Sequence, residues 1–258
     1  CLVAMSDSET LVRDLFQYRF DQGDGLEGHS FGNLFIAAMA GVTGSFEKAL
    51  LESSQVLAVH GRTLPVTLSQ ISLSAQLLDG TVVNGETTIT ERGGSIDHIL
   101  ISPQDAEAYP VALEAISNAD ILVIGPGSLY TSIIPNLLVN SVAKTIRESN
   151  ATKIYVCNVA TQMGETDGYS ASDHLKALQK HTFRSIVEYA IVSEDSKKLE
   201  YPLRTKQVKS DSENVGNVRI IKEDLIDAKF PARHNALKLA QVIMDVYDGK
   251  YLSNKQIG

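Results

Sequence analysis

Apolar residues along the chain recur with two periods, one typical of buried strands and the other typical of amphipathic helices. Short apolar runs rich in β-branched residues are each followed by a helical pattern, as in an open parallel sheet. Strands are predicted at residues 55–59, 121–124, 153–158, 189–192 and 218–221. Helices are predicted at residues 45–54, 105–118, 135–148 and 235–247, and another begins near Ser170 or Ser172. This alternation predicts an α/β fold with a mainly parallel sheet.

Between residues 65 and 103 the pattern changes from strand–helix alternation to short segments with strand character. Turn signals at Asp79-Gly80 and Asn84-Gly85 separate candidate strands at 81–83, 86–90 and 96–101. These segments predict an inserted β-hairpin region, and an antiparallel extension of the main sheet would give the same pattern. We therefore predict a single α/β domain over residues 1–258 with a β-rich insertion at 65–103.

Residues 29–40 are apolar nearly all round and rich in small side chains, which predicts a helix packed closely inside the protein. Ser30 is its predicted N-cap. His29 and Asn33 lie near the start of this helix, after a glycine-rich loop. Both have two interpretations, as capping and core hydrogen-bonding residues or as a polar wall of a ligand cleft.

Composition excludes several classes of protein. The net charge is −8 and the sequence has no dense run of Lys or Arg, which argues against a sequence-independent nucleic-acid surface. Two cysteines give no disulfide or zinc framework, in agreement with a reducing cytoplasm. No apolar run has membrane-spanning length. The sequence begins at Cys1 in mid-pattern, so we expect a further segment before it.

A glycine turn stands between the predicted strand 121–124 and the helix that Pro135 opens. It reads Gly125-Pro126-Gly127-Ser128, and two further hydroxyls follow at Thr131 and Ser132. Unpaired amides and the positive end of a helix dipole bind phosphates at such turns. The turn lacks both the Rossmann and the Walker A motif, so a purely structural role explains it equally well.

A second polar turn follows the strand that ends near Asn158. In a parallel sheet the carboxyl ends of both strands lie at one edge, so the two turns are expected to form one cleft. Asn158 and Glu165 are turn formers or ligand-binding residues, and Asp167 could replace Glu165 in that role. His174 is predicted on a solvated helix face.

Two residues near the carboxyl end have open interpretations. Arg233 precedes the final helix, where a salt bridge and a phosphate contact are both natural. Tyr201 borders a polar loop and could stack on a base or anchor the loop.

Four stretches together resemble the gluconeogenesis factor family, which shares a superfamily with 2-phospho-L-lactate transferase. They are residues 28–34 (GHSFGNL), 125–136 (GPGSLYTSIIPN), 156–174 and 231–234 (PARH). The resemblance implies a three-layer α/β/α fold of Rossmann-like topology. It also implies a glycine-rich turn and an aspartate-rich segment before Cys1. In the transferase branch, that part contributes to binding a guanine nucleotide, a deazaflavin and magnesium.

Resemblance to the gluconeogenesis factor branch implies that the protein binds UDP-sugars such as UDP-N-acetylglucosamine. No reaction is established for that branch, which is connected to cell shape and carbon-source use. By this resemblance Asn136, Tyr201 and Arg233 become candidate ligand-binding residues.

We therefore expect a cytoplasmic, homo-oligomeric (dimeric) regulator that binds a nucleotide-sugar and has no assigned catalytic residue. Its predicted ligand-binding residues are His29, Ser30, Asn33, Gly125, Pro126, Gly127, Ser128, Thr131, Ser132, Asn136, Asn158, Glu165, Tyr201 and Arg233. One alternative is a magnesium-dependent transferase of the 2-phospho-L-lactate type, with a nucleotide donor, a deazaflavin acceptor and metal ligands before Cys1. Another is a structural assembly module without a ligand.

Overall fold

The computed structural model describes residues 9–57, 60–194 and 205–251. Contacts divide the chain into two units, Cys1–Leu68 and Ser69–Gly258. The predicted α/β class with a mainly parallel sheet is confirmed, and the sheets lie in the second unit. The helices of the described residues are α1 (Glu9–Gln17), α2 (Phe31–Thr43), α3 (Phe46–Val56), α4 (Glu86–Arg92), α5 (Pro110–Ser117), α6 (Ile134–Leu138), α7 (Val142–Glu148), α8 (Ala171–His181) and α9 (Ala236–Tyr247).

The first unit contains α1, α2 and α3. Ser30 is the N-cap of α2, as predicted, and its hydroxyl accepts a hydrogen bond from the backbone N–H of Asn33 at 3.2 Å. The ring of Phe16 on α1 packs against Phe31 and Phe35 on α2, with centroids 5.7 and 5.3 Å away. No residue of α2 is fully buried, so the prediction of a helix packed inside the protein is wrong.

The predicted strand at residues 55–59 is also wrong over its described part. Residues 55 and 56 are the last two residues of α3, and residues 58 and 59 lie outside the described residues. Ser45 caps the start of α3, and this helix continues through Val56. The first two residues of the predicted strand are therefore the end of a helix.

No single helix within the described residues is long and apolar enough to cross a membrane. One bent pair, α2 and α3, passes the same test of length and composition when the two helices are taken together.

The main sheet of the second unit has four parallel strands and one short antiparallel strand. Its order is β4-β5-β6-β8-β7, with β7 antiparallel to β8. These strands are β4 (Ile121–Ile124), β5 (Thr152–Val156), β6 (Tyr189–Ser193), β7 (Asn214–Val215) and β8 (Val218–Glu223). All four predicted strands after residue 120 are thus confirmed, with small differences at their ends.

The core of this sheet forms where α9 packs against three neighbouring strands. Ile154 on β5, Ile191 on β6 and Ile221 on β8 meet Val242 and Val246 on α9. The i, i+4 spacing of the two valines lets one helix face bury both side chains. This packing fixes α9 against the sheet.

Residues 65–103 form a separate antiparallel sheet, rather than an extension of the parallel one. Its order is β2-β1-β3, with β1 at Ser72–Leu77, β2 at Val82–Asn84 and β3 at Ile96–Ser102. Residues 86–90, predicted as a strand, belong instead to α4. Ile89, at 2% exposure, anchors that helix, so burial of one side chain outweighs the strand preference of its three threonines.

Candidate functional site

The first turn, residues 125–128, leaves the carboxyl end of β4 and packs directly on β5. Gly125 has φ +89°, and a Cβ atom placed there would lie 2.8 Å from the carbonyl oxygen of Val156. Only glycine allows both this backbone conformation and this close approach. Gly125 therefore shapes the turn, whereas Pro126, Gly127 and Ser128 line the cleft beside it.

The long helix whose N-terminus was expected at the first turn is interrupted. A π-helical turn at Leu129–Ile133 and the five-residue α6 follow, and the chain breaks before α7 begins at Val142. The predicted continuous helix at residues 135–148 is therefore wrong. The twelve-residue α9 supplies the helix N-terminus at the cleft instead, because Ala236 and Leu239 line it.

The hydroxyl and amide side chains after Ser128 point away from the cleft. Thr131 donates a hydrogen bond to Glu165 at 3.1 Å. Ser132 and Asn136 are exposed, and the Asn136 side-chain amide donates to the carbonyl oxygen of Ser132 at 2.6 Å. None of these four residues is among those that line the cleft.

The second turn follows β5 and begins with Asn158, which lines the same cleft. Its side-chain N–H donates to Oε1 of Gln162 at 3.0 Å, and Nε2 of Gln162 donates to the hydroxyl of Ser128 at 2.7 Å. These bonds tie the second turn to the first. Both turns therefore meet at one edge of the sheet, as the sequence predicted.

Glu165 connects three parts of the second unit from a buried position. At 4% exposure, its Oε1 accepts hydrogen bonds from Thr131 at 3.1 Å and from Thr90 on α4 at 3.2 Å. Because it is buried and absent from the cleft lining, Glu165 fixes the position of the second turn within the structure. Asp167 has a similar local role, since its carboxylate accepts from the backbone N–H of Gly164 at 2.7 Å.

Arg233 and His234 form the opposite wall of the cleft, immediately before α9. The exposed guanidinium of Arg233 lies 5.2 Å from the ring centroid of Phe230 and has no ion-pair partner within the described part of the chain. Burial lowers the pKa of His234 to about 4, although its hydrogen bond with the backbone of Cys157 acts in the opposite direction. At neutral pH this wall therefore carries one positive charge and a neutral imidazole.

The cleft enclosed by these elements has a volume of about 610 Å³. Its lining combines the first turn, the start of the second turn, Thr205, and the residues that lead into α9: Pro126, Gly127, Ser128, Asn158, Val159, Ala160, Thr161, Gln162, Thr205, Ala232, Arg233, His234, Ala236 and Leu239. Five of the fourteen predicted ligand-binding residues are thus brought together: Pro126, Gly127, Ser128, Asn158 and Arg233.

The cleft lining does not include the predicted residues of the first unit, and one predicted residue is outside the described part of the chain. His29, Ser30 and Asn33 belong to the first unit, where His29 and Asn33 are exposed and Ser30 caps α2. Tyr201 lies outside the described residues.

Sequence reasoning missed Gln162 and His234 as lining residues. Both stand inside stretches that had been singled out, but a lone amide or imidazole gives no signal of the direction in which it points. His174 was placed on a solvated face and is wholly buried in α8, with Nδ1 2.9 Å from the carbonyl oxygen of Ser170.

Comparison with known proteins places this architecture in a family. A family model described as 2-phospho-L-lactate transferase CofD matches residues 1–226. The gluconeogenesis factor of Halalkalibacterium halodurans is 42% identical over 95% of this chain and 78% of its own length. The chain belongs to the CofD family, among its gluconeogenesis factors.

Other members of the CofD family agree with this assignment. The gluconeogenesis factor of Bacillus subtilis is 40% identical over 95% of this chain and 80% of its own length. A putative gluconeogenesis factor of Nostoc is 45% identical over 97% of this chain, which spans 57% of that protein. A crystal structure of a UPF0052-family protein from Bacillus halodurans has a TM-score of 0.86 at 41% identity, with 94% of this chain and 80% of that chain covered.

The magnesium that the transferase branch of the CofD family implies does not find a ligand set here. Among the described residues, no group of three or more His, Cys, Asp or Glu side chains is placed to hold a metal ion. The buried carboxylate of Glu165 accepts two threonine hydrogen bonds, both at Oε1, and its Oε2 has no hydrogen-bond partner among the described residues. One carboxylate oxygen is fewer ligands than a magnesium ion needs from a protein site. The residues of this part of the chain therefore do not by themselves fit a magnesium site.

Proposed function

We propose that the cleft binds a nucleotide-sugar of the UDP-N-acetylglucosamine type and that the protein acts as a regulator of gluconeogenic growth, cell shape and envelope synthesis. The observation that carries the proposal is the meeting of two strand-end turns, the exposed guanidinium of Arg233 and a helix N-terminus around one cleft of about 610 Å³. That volume lies within the range of about 300–1,000 Å³ typical of small-molecule sites.

The two walls of the cleft complement the parts of such a ligand. On one side, the hydroxyl of Ser128 and the backbone of Gly127 offer small polar groups that a diphosphate can approach closely. On the other side, Arg233 and the N-terminus of α9 supply positive potential. The side chains of Ala232, Ala236 and Leu239 give an apolar surface for a base or sugar ring.

The lining chemistry favours binding over catalysis. Arg233 and His234 are the ionisable side chains among the lining residues. With its pKa lowered to about 4 by burial, His234 is a weak base at neutral pH. We therefore propose that the protein acts through its ligand-bound form, which a partner would recognise. The relatives bear the name gluconeogenesis factor.

The alternative is the transferase reaction in the name of the family model, which matches residues 1–226. In that case a guanine nucleotide, rather than a uridine nucleotide, would occupy the cleft. Homodimerisation and a cytoplasmic location stay predictions under both functions.

A thermal-shift panel with UDP-N-acetylglucosamine, UDP, GDP and NAD tests the proposal. A ligand present at about 100 times its dissociation constant stabilises a protein by about 2.7 kcal/mol. We expect stabilisation by UDP-N-acetylglucosamine and by UDP. Stabilisation by GDP alone would favour the transferase, and no shift with any nucleotide would favour an assembly module.

The regulatory part of the proposal needs a separate test in cells. In a host that lacks its own gluconeogenesis factor, the wild-type protein should restore growth on a gluconeogenic carbon source. A variant that has lost ligand binding in the thermal-shift panel should not. Equal growth with both proteins would show that the bound ligand does not control this function.

A further inference from the structure

A second pocket, of about 260 Å³, lies in the second unit of the chain, apart from the cleft. One face of α8 forms a wall of this pocket, with residues at i, i+3, i+4 and i+7: Asp173, Lys176, Ala177 and Lys180. Asp97 on β3 lines it as well. None of these five residues lines the cleft. We call this second pocket the α8 pocket.

The two lysines of the α8 pocket lie one helical turn apart on the same wall. An ammonium group has three N–H donors. Within the described residues, Lys180 donates to the carboxylate of Asp97, and Lys176 donates to that of Asp173 at 3.4 Å. The bond between Lys176 and Asp173 is long, and the two side chains are 66% and 43% exposed, so this pair stabilises the fold little. Most N–H donors of the two lysines are therefore available to a ligand.

Both carboxylates of the pocket have a second partner. Oδ2 of Asp173 accepts from the backbone N–H of Ser170 at 3.1 Å, as part of the capping box of α8. Oδ2 of Asp97 lies 2.7 Å from Nδ1 of His98. An ionised carboxylate only accepts hydrogen bonds, so this Nδ1 carries the hydrogen. Each aspartate therefore keeps a donor when its lysine turns towards a ligand.

Tyr130 and Tyr169 add a hydroxyl donor to the α8 pocket. Both residues line the pocket, and their hydroxyl oxygens lie 2.8 Å apart. Either hydroxyl can be the donor of the bond between them, but the pair has two hydrogens and the bond uses one. One O–H is therefore left in both arrangements. The pocket thus offers a neutral donor in addition to its lysines, and this does not depend on the direction of the bond.

The size and the apolar lining of the α8 pocket limit what it can hold. Its volume is less than half that of the cleft and lies below the range of about 300–1,000 Å³ typical of drug-sized ligands. Leu78, Ile96 and Ala177 give an apolar surface for a short carbon skeleton. Two lysines and two aspartates balance in charge, so the pocket does not suit a polyanion such as a nucleoside diphosphate. These features together match a small molecule with one oxyanion group.

We propose that the α8 pocket is a second binding site of this protein, for a small oxyanion: a carboxylate or a phosphate monoester with few carbon atoms. Lys176 donates to the oxyanion, together with Lys180 and the remaining O–H of the tyrosine pair. The proposal does not depend on what occupies the cleft, because the two sites share no lining residue among those described.

Calorimetry at low ionic strength in a phosphate-free buffer tests the proposal. The probes are glycerol 3-phosphate and succinate, and glycerol is the uncharged control. We expect the wild type to bind at least one of the two oxyanions and not to bind glycerol. Lys176→Gln removes a charged donor, so the dissociation constant should rise about 10- to 100-fold. Tyr169→Phe removes a neutral donor, so the dissociation constant should rise about 2- to 10-fold.

Two control variants locate the bound oxyanion. Lys144→Gln makes the same change of charge at an exposed helix lysine, which pairs with Glu148 at 3.9 Å and lines neither pocket. Arg233→Ala removes the cation of the cleft. Both variants should bind the probe as tightly as the wild type. Thermal denaturation without ligand confirms that every variant is folded.

The outcomes separate this proposal from the nucleotide-sugar proposal. Binding of glycerol 3-phosphate alone would assign phosphate monoesters to the site, and binding of succinate alone would assign carboxylates. The α8 site is overturned if the wild type binds neither oxyanion, if it binds glycerol equally well, or if Lys176→Gln binds like the wild type. Equal losses in Lys176→Gln and Lys144→Gln would also overturn it, since net charge would explain both. A loss in Arg233→Ala alone would place the oxyanion in the cleft, which overturns the α8 site and leaves the nucleotide-sugar proposal standing.

Discussion

At the scale of single residues, Arg233 has the largest influence on the electrostatics of the cleft. Its guanidinium is exposed beside Phe230, without an ion-pair partner in the described part of the chain. The net charge of the chain is −8, so this local cation has to attract an anionic ligand against an unfavourable overall field. The cation belongs to the wall of the cleft rather than to the core.

Arg233→Ala should therefore weaken ligand binding and leave the fold nearly unchanged. Loss of a charge-assisted hydrogen bond corresponds to about a 10- to 100-fold increase in the dissociation constant for UDP-N-acetylglucosamine. The cation–π contact with Phe230 contributes about 0.5–1 kcal/mol at an exposed site, so the unliganded melting temperature should fall by no more than about 3 °C. Calorimetry and thermal denaturation measure the two effects.

Arg147→Ala is the matched control for that variant. Arg147 lies over the ring of Phe183 at 4.0 Å, outside the cleft lining, so its replacement removes the same charge and the same kind of contact. It should leave the dissociation constant unchanged. If both variants weakened binding equally, Arg233 would act only through the net charge of the protein and not through a contact with the ligand.

At the scale of elements, the site depends on how closely the second turn packs against α4. Gly164 has φ +82°, and a Cβ atom placed there would overlap the carbonyl oxygen of Thr90. Thr90 also donates to Glu165, the next residue of the turn. The separate antiparallel region thus supports the second turn through both a backbone contact and a hydrogen bond.

Gly164→Ala should destabilise the protein more than Gly168→Ala does. Gly168 has a similar φ of +74°, but a Cβ atom there would meet nothing within 4 Å. The conformational cost of an alanine at positive φ is therefore similar at both positions. The difference between the free energies of unfolding of the two variants measures the steric overlap at residue 164, expected at about 1–3 kcal/mol. Urea denaturation of both variants measures it, and equal midpoints would show that the turn can move away from α4 without cost.

At the scale of the whole molecule, buried histidines make stability depend on pH. Burial lowers the pKa values of His174, His181 and His234, the last to about 4. In the unfolded chain a histidine titrates near about pH 6.5, so between these values the unfolded state binds more protons. The stabilisation is fully present above about pH 6.5 and is lost as the pH falls towards the folded pKa values.

His181 shows how the geometry requires the neutral form. Its Nδ1 lies 2.7 Å from the carbonyl oxygen of Ala177 and therefore carries the hydrogen, while Nε2 accepts from the backbone N–H of Ile99 at 2.9 Å. Protonation would place two N–H groups opposite each other and separate α8 from β3. The titratable or aromatic groups nearest to it are Asp97, His98, Tyr130 and Lys180.

The melting temperature should therefore fall between about pH 7 and about pH 4.5, and His181→Gln should make that fall shallower. The glutamine amide oxygen can replace Nε2 as an acceptor for Ile99 but does not titrate. Thermal denaturation over this range measures both slopes. Identical slopes in the wild type and in His181→Gln would contradict a role for His181 in the pH dependence.

The sequence by itself determined the α/β class and the approximate position of each parallel strand. Short apolar runs such as Tyr189–Ser193, of which the last four residues are buried, have strand character wherever a sheet buries them, so local pattern was sufficient. The same reasoning placed two polar turns after neighbouring strands, and parallel pairing of β4 with β5 makes such turns meet. Four lining residues, Pro126, Gly127, Ser128 and Asn158, followed from these local signals, and Arg233 was predicted from its position before the last helix and from the family resemblance.

Only the tertiary structure decided which way side chains point and which local preference prevails. Residues 86–90 are helical because burial of Ile89 outweighs strand propensity, and the helix predicted from Pro135 is interrupted before Val142. Thr131 and Glu165 form a hydrogen bond with each other and do not line the cleft, whereas Gln162 and His234 do. Orientation depends on contacts between residues distant in the chain, and periodicity along the sequence contains no information about those contacts.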